Sequence, residues 1–189
     1  MNQELQKRIF SSIVLIPIVI FFIFQGSVFF AFFLCIFFLA SSYEWIKMNK
    51  KNFFKNFIGI LFLTYSFYTA FQLRDLHGYN FFIFLVLVCV FTDIGGYLFG
   101  NFFKGPKLTK ISPKKTFSGL IGGYIFSIIF INIFLNYSYL LNLKNIEFDM
   151  MIFIIVILVS SFSQVGDIII SYFKRLSKIK DTGKIIPGH

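Results

Sequence analysis

Three acids, with a set of cations and hydroxyls, carry the chemistry this sequence offers. Asp93 lies inside an apolar run, Asp167 near the end of another, and Asp181 in a polar tail. Ser160, Ser163, Gln164, Asp167, Ser171, Lys174, Arg175 and Lys178 recur at three- and four-residue steps, so a helix would gather them on one face. Its other faces carry Ile168, Ile169, Ile170, Phe173 and Leu176. Such a helix leaves an apolar medium with a polar stripe: a carboxylate just inside the boundary and two cations two turns beyond it. A second group, Ser112-Pro113-Lys114-Lys115-Thr116, precedes a stretch that opens with Gly119 and Gly122-Gly123. Pro113 fixes a turn there, and adjacent cations and hydroxyls that meet a helix N-terminus make a cradle for phosphates. Carboxylates hold Mg²⁺, and Mg²⁺ with Lys or Arg neutralises phosphate oxygens. The combination suits phosphoryl or nucleotidyl transfer to or from a lipid. None of these side chains is an obvious nucleophile, so a substrate phosphate is the expected attacking group. The sequence contains no G-x-S-x-G, Walker loop, H-E-x-x-H or Cys/His cluster.

Each of these groups also has an ordinary reading. Asp93 could make an interhelical hydrogen bond, Asp167 could snorkel to the interface, and Lys174-Arg175 could form a basic girdle at the lipid headgroups. A carboxylate at mid-bilayer costs about 2.5–3.5 kcal/mol on insertion scales, so Asp93 should face the bundle, water or a cation. Two acids expected at similar depth on the same side favour a lined cavity.

The elements that must position these groups are membrane helices. The 189 residues are 57% hydrophobic and 22% aromatic, more apolar surface than a soluble domain of this length could hide. Six apolar runs follow one another: Ile9 to Phe24, Val28 to Tyr43, Asn56 to Leu73, Asn80 to Gly100, Ser118 to Tyr137 and Met150 to Ile170. Gln25-Gly26-Ser27 is expected to form a tight hairpin and Arg74 to Tyr79 a polar turn. The first run lacks a small-residue cleavage site and others follow it, so it reads as a retained span. Cys35 and Cys89 lie far apart within apolar runs, without metal-ligand spacing.

The net charge is +10, yet its distribution points to membrane orientation and not to nucleic acid. Of the 18 Lys and Arg, 16 fall in the N-terminus, the loops 44–55 and 101–117, and the tail, leaving Arg74 and Lys144 opposite. The expected fold is therefore an all-α membrane protein, a polytopic bundle of about six transmembrane helices with cytoplasmic termini. Residues 1–189 form a single integral membrane domain in this reading, placed in the inner membrane with its active face cytoplasmic.

The residues resemble a known family, the phosphatidate cytidylyltransferases, or CDP-diacylglycerol synthases. The family signature S-x-x-K-R-x-x-x-x-K-D-x-G-x-x-x-P-G-H is matched by Ser171, Lys174-Arg175, Lys180-Asp181, Gly183 and Pro187-Gly188-His189. Gln164, Gly166 and Asp167 match just upstream. Asp93 to Gly123 resembles D-x-G-A-Y-x-x-G followed by I-S-P-K-K-T-W-E-G-x-x-G-G. The likeness is therefore specific over 93–189 and only hydrophobic in character over the first two runs. Gly96 stands where the family has Ala, and Phe117-Ser118 where it has Trp-Glu, which removes a carboxylate. The family pattern continues with Gly-Gly, an Asp-Arg-x-Asp block and a further membrane segment, whereas this sequence stops at His189, so the resemblance implies a chain truncated at its C-terminus.

The resemblance implies a reaction in phospholipid biosynthesis: CTP plus phosphatidic acid gives CDP-diacylglycerol and pyrophosphate, with Mg²⁺ and room for a second metal ion. It makes Asp167 and Asp181 the metal ligands and Asp93 a third catalytic acid near them. Lys114 and Lys115 would hold the triphosphate, with Ser112 and Thr116 supporting the loop. Lys174 and Arg175 would receive the phosphatidate headgroup or the leaving pyrophosphate, and Lys180 and His189 complete the substrate-binding set. The expected partners are CTP, phosphatidic acid, the bilayer and, from small-residue helix faces, a second copy of the chain. Two other readings compete: a transporter or channel whose ion pathway uses Asp93 and Asp167, and an inactive membrane remnant that inserts but binds no nucleotide. A CTP-dependent lipid kinase is a nearer relative in chemistry, told apart by its release of CDP.

Overall fold

The computed structural model describes residues 3–49, 52–109, 112, 115–138 and 149–177. Five helices account for almost all of them: α1 (Gln3–Gln25), α2 (Ser27–Met48), α3 (Phe53–Phe103), α4 (Phe117–Ser138) and α5 (Met150–Leu176). Among the described residues the extended structure is one isolated antiparallel bridge, Lys107 to Thr116. Helices α2 to α5 are long and apolar enough to cross a membrane, and α1 carries a shorter apolar stretch, Ile13–Gln25. The chain is an all-α, multi-pass membrane protein.

The 51 residues of α3 are two helical arms, each long enough at 1.5 Å per residue to cross a hydrocarbon core of about 30 Å. Gly78 divides them, with φ 82° and ψ 168°. The arms on either side, 53–77 and 79–103, correspond to the third and fourth expected spans. The polar turn expected over Arg74 to Tyr79 is thus a single residue, and Arg74 to His77 stay helical. Likewise α2 runs on to Met48 and α5 to Leu176, past the expected ends at Tyr43 and Ile170. Charge ends the hydrophobic match without breaking a helix, so hydropathy alone closes these spans too early.

By Cα packing the chain forms two compact units, residues 1–82 with 176–189, and residues 83–175. In the first unit, Gly26 turns α1 into α2 at φ 65°. Arg74 closes this hairpin: its Nε donates to the Ile23 carbonyl at 3.0 Å and its Nη2 to the Phe24 carbonyl at 3.2 Å. The last carbonyls of α1 have no partners within the helix, and a guanidinium satisfies two of them. A Cβ at Gly26 would run into that guanidinium, so glycine is required there by backbone and by space. Asn49, buried at the α2–α3 joint, accepts from the Asn56 side chain at its carbonyl and from Ser177 Oγ at its Oδ1.

In the second unit, glycines set the α3–α4 contact. A Cβ on Gly119 would meet the Gly96 carbonyl at 2.7 Å, and one on Gly123 would meet the Thr92 carbonyl at 3.0 Å. Backbones this close are available only where side chains are absent. Gly96 is different, since its added Cβ would sit 3.5 Å from the Gly119 carbonyl, so the alanine of the family pattern fits without adjustment. The buried face of α4 is Gly119, Gly123, Ser127, Ile131 and Leu135, at four-residue steps, while Ile121, Ile125, Ile129 and Ile133 are exposed. Both faces being apolar is what lipid as solvent requires.

The core of this unit is layered. Thr92, Ser127 and Ser160, from α3, α4 and α5, are fully buried together. Ser160 Oγ lies 2.8 Å from Thr92 Oγ1 and 3.1 Å from Ser127 Oγ. One turn away on each helix the residue is aliphatic and equally buried: Val88, Ile131 and Val156. A polar layer thus sits on an apolar one, and its Thr92 directly precedes Asp93 and lines the same cavity.

Candidate functional site

One cavity of about 350 Å³ in the second unit gathers the chemistry. Its lining comes from α3 (Thr92, Asp93, Gly96, Tyr97), the loop before α4 (Leu108, Lys115), the first residues of α4 (Thr116 as cap, Gly119, Leu120) and α5 (Gln164, Asp167). Its size falls in the lower part of the range of roughly 300–1,000 Å³ for small-molecule sites.

Each wall follows from local sequence. On α3, Asp93, Gly96 and Tyr97 stand at three- and four-residue steps, so one face carries a carboxylate, a gap and a phenol. On α5, Ser160, Gln164 and Asp167 share a face by the same rule. The loop between α3 and α4 folds back as a hairpin: Leu108 N–H donates to the Lys115 carbonyl at 2.8 Å and Phe117 N–H to the Pro106 carbonyl at 3.0 Å. Thr116 caps α4 by accepting the Gly119 N–H at its Oγ1, 3.1 Å. Ser118, where the family pattern has Glu, lies 3.0 Å from Thr116 Oγ1 and accepts the Gly105 N–H at 3.2 Å. The serine therefore ties the two stems of the hairpin together. The N-terminal turn of α4, positive by its aligned peptide dipoles, faces the cavity.

The charged groups meet across this space. Lys115 Nζ donates to Asp167 Oδ2 at 2.8 Å and to the Gln164 carbonyl at 3.4 Å. The pair is partly open, with side-chain exposures of 28% for Lys115 and 56% for Asp167. Asp93 is exposed to the cavity and lies within electrostatic range of both Asp167 and Lys115. Gln164 is fixed in turn, its Nε2 donating to the Leu120 carbonyl at 3.4 Å.

Of the residues singled out from sequence, the structure brings Asp93, Lys115, Thr116 and Asp167 together. Ser112 is close in the chain but does not line the cavity; its N–H donates to Thr109 Oγ1 and its carbonyl accepts the Lys115 N–H. Lys174 and Arg175 occupy the last turn of α5, about 10–12 Å along the axis from Asp167, and are not part of the lining. Lys114, Lys180, Asp181 and His189 lie outside the described residues. Among the described residues no cluster of three or more His, Cys, Asp or Glu side chains forms, and the acids that meet are Asp93 and Asp167. Sequence reasoning had not assigned Tyr97, Leu108 or Thr92 to the site. Tyr97 stands one turn from Asp93 and was findable by helical spacing. Leu108 reaches the cavity only through the hairpin, which leaves no local signature.

The sequence model of the cytidylyltransferase family matches residues 56–189. The phosphatidate cytidylyltransferase of Rickettsia felis is 30% identical, with an alignment covering 100% of this chain and 84% of the relative. That of Staphylococcus saprophyticus is 34% identical over 159 residues, and that of Staphylococcus aureus (strain COL) 32% over the same length. These two alignments take in 80% of this chain and 58% of each staphylococcal protein, so the chain spans little more than half the length of those relatives. No solved structure matches the chain. The residues that line the cavity, from Thr92 to Asp167, all lie inside the matched span, and the chain belongs to the cytidylyltransferase family.

Proposed function

We propose that this chain transfers a cytidylyl group from CTP to phosphatidic acid, giving CDP-diacylglycerol and pyrophosphate. The observation that carries the reading is the meeting of Asp93, Lys115, Asp167 and the capped N-terminus of α4 in one cavity of a membrane protein. The similarity to phosphatidate cytidylyltransferases supports phosphatidate as the lipid substrate. A phosphate oxygen of phosphatidic acid attacks the α-phosphorus of CTP. The new P–O bond forms as the bond between the α-phosphorus and its bridging oxygen breaks, and pyrophosphate leaves with that oxygen and its electron pair.

Lys115 and the α4 N-terminus face the charge that grows on the leaving group, which preorganised positive charge stabilises. Thr116 and Ser118 hold the hairpin, so that Lys115 acts from a fixed backbone. Lys174 and Arg175, on the same helix as Asp167, are proposed to hold a phosphate at the headgroup level, and Lys114, Lys180 and His189 to complete substrate binding.

The residues fit a divalent cation. Asp167 has one oxygen outside its ion pair, and the Asp93 carboxylate makes no hydrogen bond among the described residues. Mg²⁺ is commonly held by one or two carboxylates, with substrate phosphates and waters filling the remaining positions. Asp167 and Asp93 would hold it, with Asp181 as the further ligand suggested by the signature, and a second ion could share these acids. When bound, the cation supplies neutralisation of phosphate charge.

The Lys- and Arg-rich segments support a cytoplasmic active face, and the inner membrane is the proposed location. Residues 1–189 are proposed to act as one membrane domain. A homodimer was expected from small-residue faces, but within the second unit those glycines are used in α3–α4 packing. The test of the reading is product analysis. Membranes containing the chain, given CTP labelled at the α-phosphate, phosphatidic acid and Mg²⁺, should yield labelled CDP-diacylglycerol and unlabelled pyrophosphate in equal amounts. Release of CDP with phosphorylation of a lipid alcohol would replace it with a lipid kinase.

A further inference from the structure

We infer that Lys115 and a divalent cation compete for the Asp167 carboxylate, and that the phosphates of the nucleotide relieve this competition by accepting Lys115. The inference rests on the nucleotidyl-transfer reading and adds a coupling to it: metal and nucleotide should each promote binding of the other.

Three observations support it. First, the Lys115 ammonium holds Asp167 Oδ2 at 2.8 Å, and a divalent ion on either oxygen of that carboxylate would bring a second positive centre close to the ammonium. Second, the backbone of Lys115 is pinned on both sides, by the Leu108 N–H on its carbonyl and by its own N–H on Ser112, while its four-carbon stem is built of rotatable bonds. The ammonium can therefore change partners without moving the hairpin. Third, among the described residues the charged side chains lining the cavity are two carboxylates and this ammonium. Removing Lys115 from Asp167 leaves two like charges facing one space, which a divalent cation relieves. Because both partners are partly exposed, the pair is weak enough to exchange. Linkage then requires that whatever draws Lys115 away tightens metal binding, and that the metal tightens nucleotide binding by the same factor.

The expected sign runs against a purely structural salt bridge. Lys115→Gln should bind Mn²⁺ alone more tightly than the unmodified chain, by roughly 3- to 10-fold, the scale of losing a partly exposed ion pair and one nearby positive charge. Lys115→Arg should bind it no more tightly, since a guanidinium can hold the carboxylate through two donors. Asp167→Asn should weaken Mn²⁺ binding in every background. Retention of labelled CTP at saturating Mn²⁺ should fall at least about 10-fold in Lys115→Gln, as a charge-assisted phosphate contact is lost. The measurements are Mn²⁺ titration by electron paramagnetic resonance and CTP retention by the chain in nanodiscs. If Lys115→Gln binds Mn²⁺ no more tightly while both proteins retain CTP, the competition is refuted and the nucleotide reading stands. If Lys115→Gln binds Mn²⁺ more tightly and neither protein retains CTP, the competition stands and the nucleotide reading falls.

Discussion

Replacing Ser160 by alanine tests whether three buried hydroxyls hold α3, α4 and α5 together. Ser160 Oγ has two neighbours, Thr92 Oγ1 at 2.8 Å and Ser127 Oγ at 3.1 Å. Counting two lost hydrogen bonds at about 1 kcal/mol each suggests a loss of about 2 kcal/mol. The protons argue for less. Thr92 donates to the Val88 carbonyl at 2.7 Å and Ser127 to the Tyr124 carbonyl at 3.0 Å, so both have placed their hydrogens already. Ser160 has one proton for two acceptors, and its removal takes away about one full bond. In membranes such interhelical bonds average about 0.6 kcal/mol, and alanine regains a few tenths in helix propensity. Ser160→Ala should therefore cost about 0.3–0.7 kcal/mol, read from equilibrium unfolding in mixed micelles. The triple change Thr92→Val, Ser127→Ala and Ser160→Ala leaves no orphaned hydroxyl in the layer and should cost less than the three single changes added together. A loss above about 3 kcal/mol for Ser160→Ala, or strict additivity in the triple variant, would refute the proton count.

Other substitutions separate space from backbone. Gly119→Ala places a methyl 2.7 Å from the Gly96 carbonyl and should destabilise by about 1–3 kcal/mol, whereas Gly96→Ala, with 3.5 Å available, should be nearly neutral in the same unfolding assay. Gly78→Ala meets no atom within 4 Å but must hold φ 82°, so its cost should be that of backbone strain alone, about 1–3 kcal/mol. Gly26→Ala adds a collision with the Arg74 guanidinium to its own positive φ, and pairing it with Arg74→Ala should recover part of the loss.

The site was legible where residue type and spacing coincide. Asp93, Lys115-Thr116 and Asp167 are chemically distinctive within apolar sequence, and the structure brings them to one cavity. The third and fourth spans were read correctly on either side of Arg74 to Tyr79, but the interruption between them is one glycine, because polar residues at a membrane surface continue a helix readily. The hydroxyl layer was only half visible. Ser160 belonged to the polar stripe of α5, but Thr92 and Ser127 look like ordinary small residues in apolar helices. Their meeting depends on how three helices are rotated, and no single segment encodes that. Ser118 is similar: by type it is a lost carboxylate, and in place it is the tie across the hairpin.

The carboxylates of Asp93 and Asp167 are proposed to form one working site. The most direct test is a turnover cycle of Asp93→Asn, Asp167→Asn and the double variant, each in membranes at equal inserted amount, following label from CTP into CDP-diacylglycerol. Groups that act as a unit lose their effect together. Each single change should lower turnover at least about 100-fold, and the double variant should be no worse than the more damaged single one. Full turnover in either single variant, or losses that multiply in the double variant, would contradict that proposal.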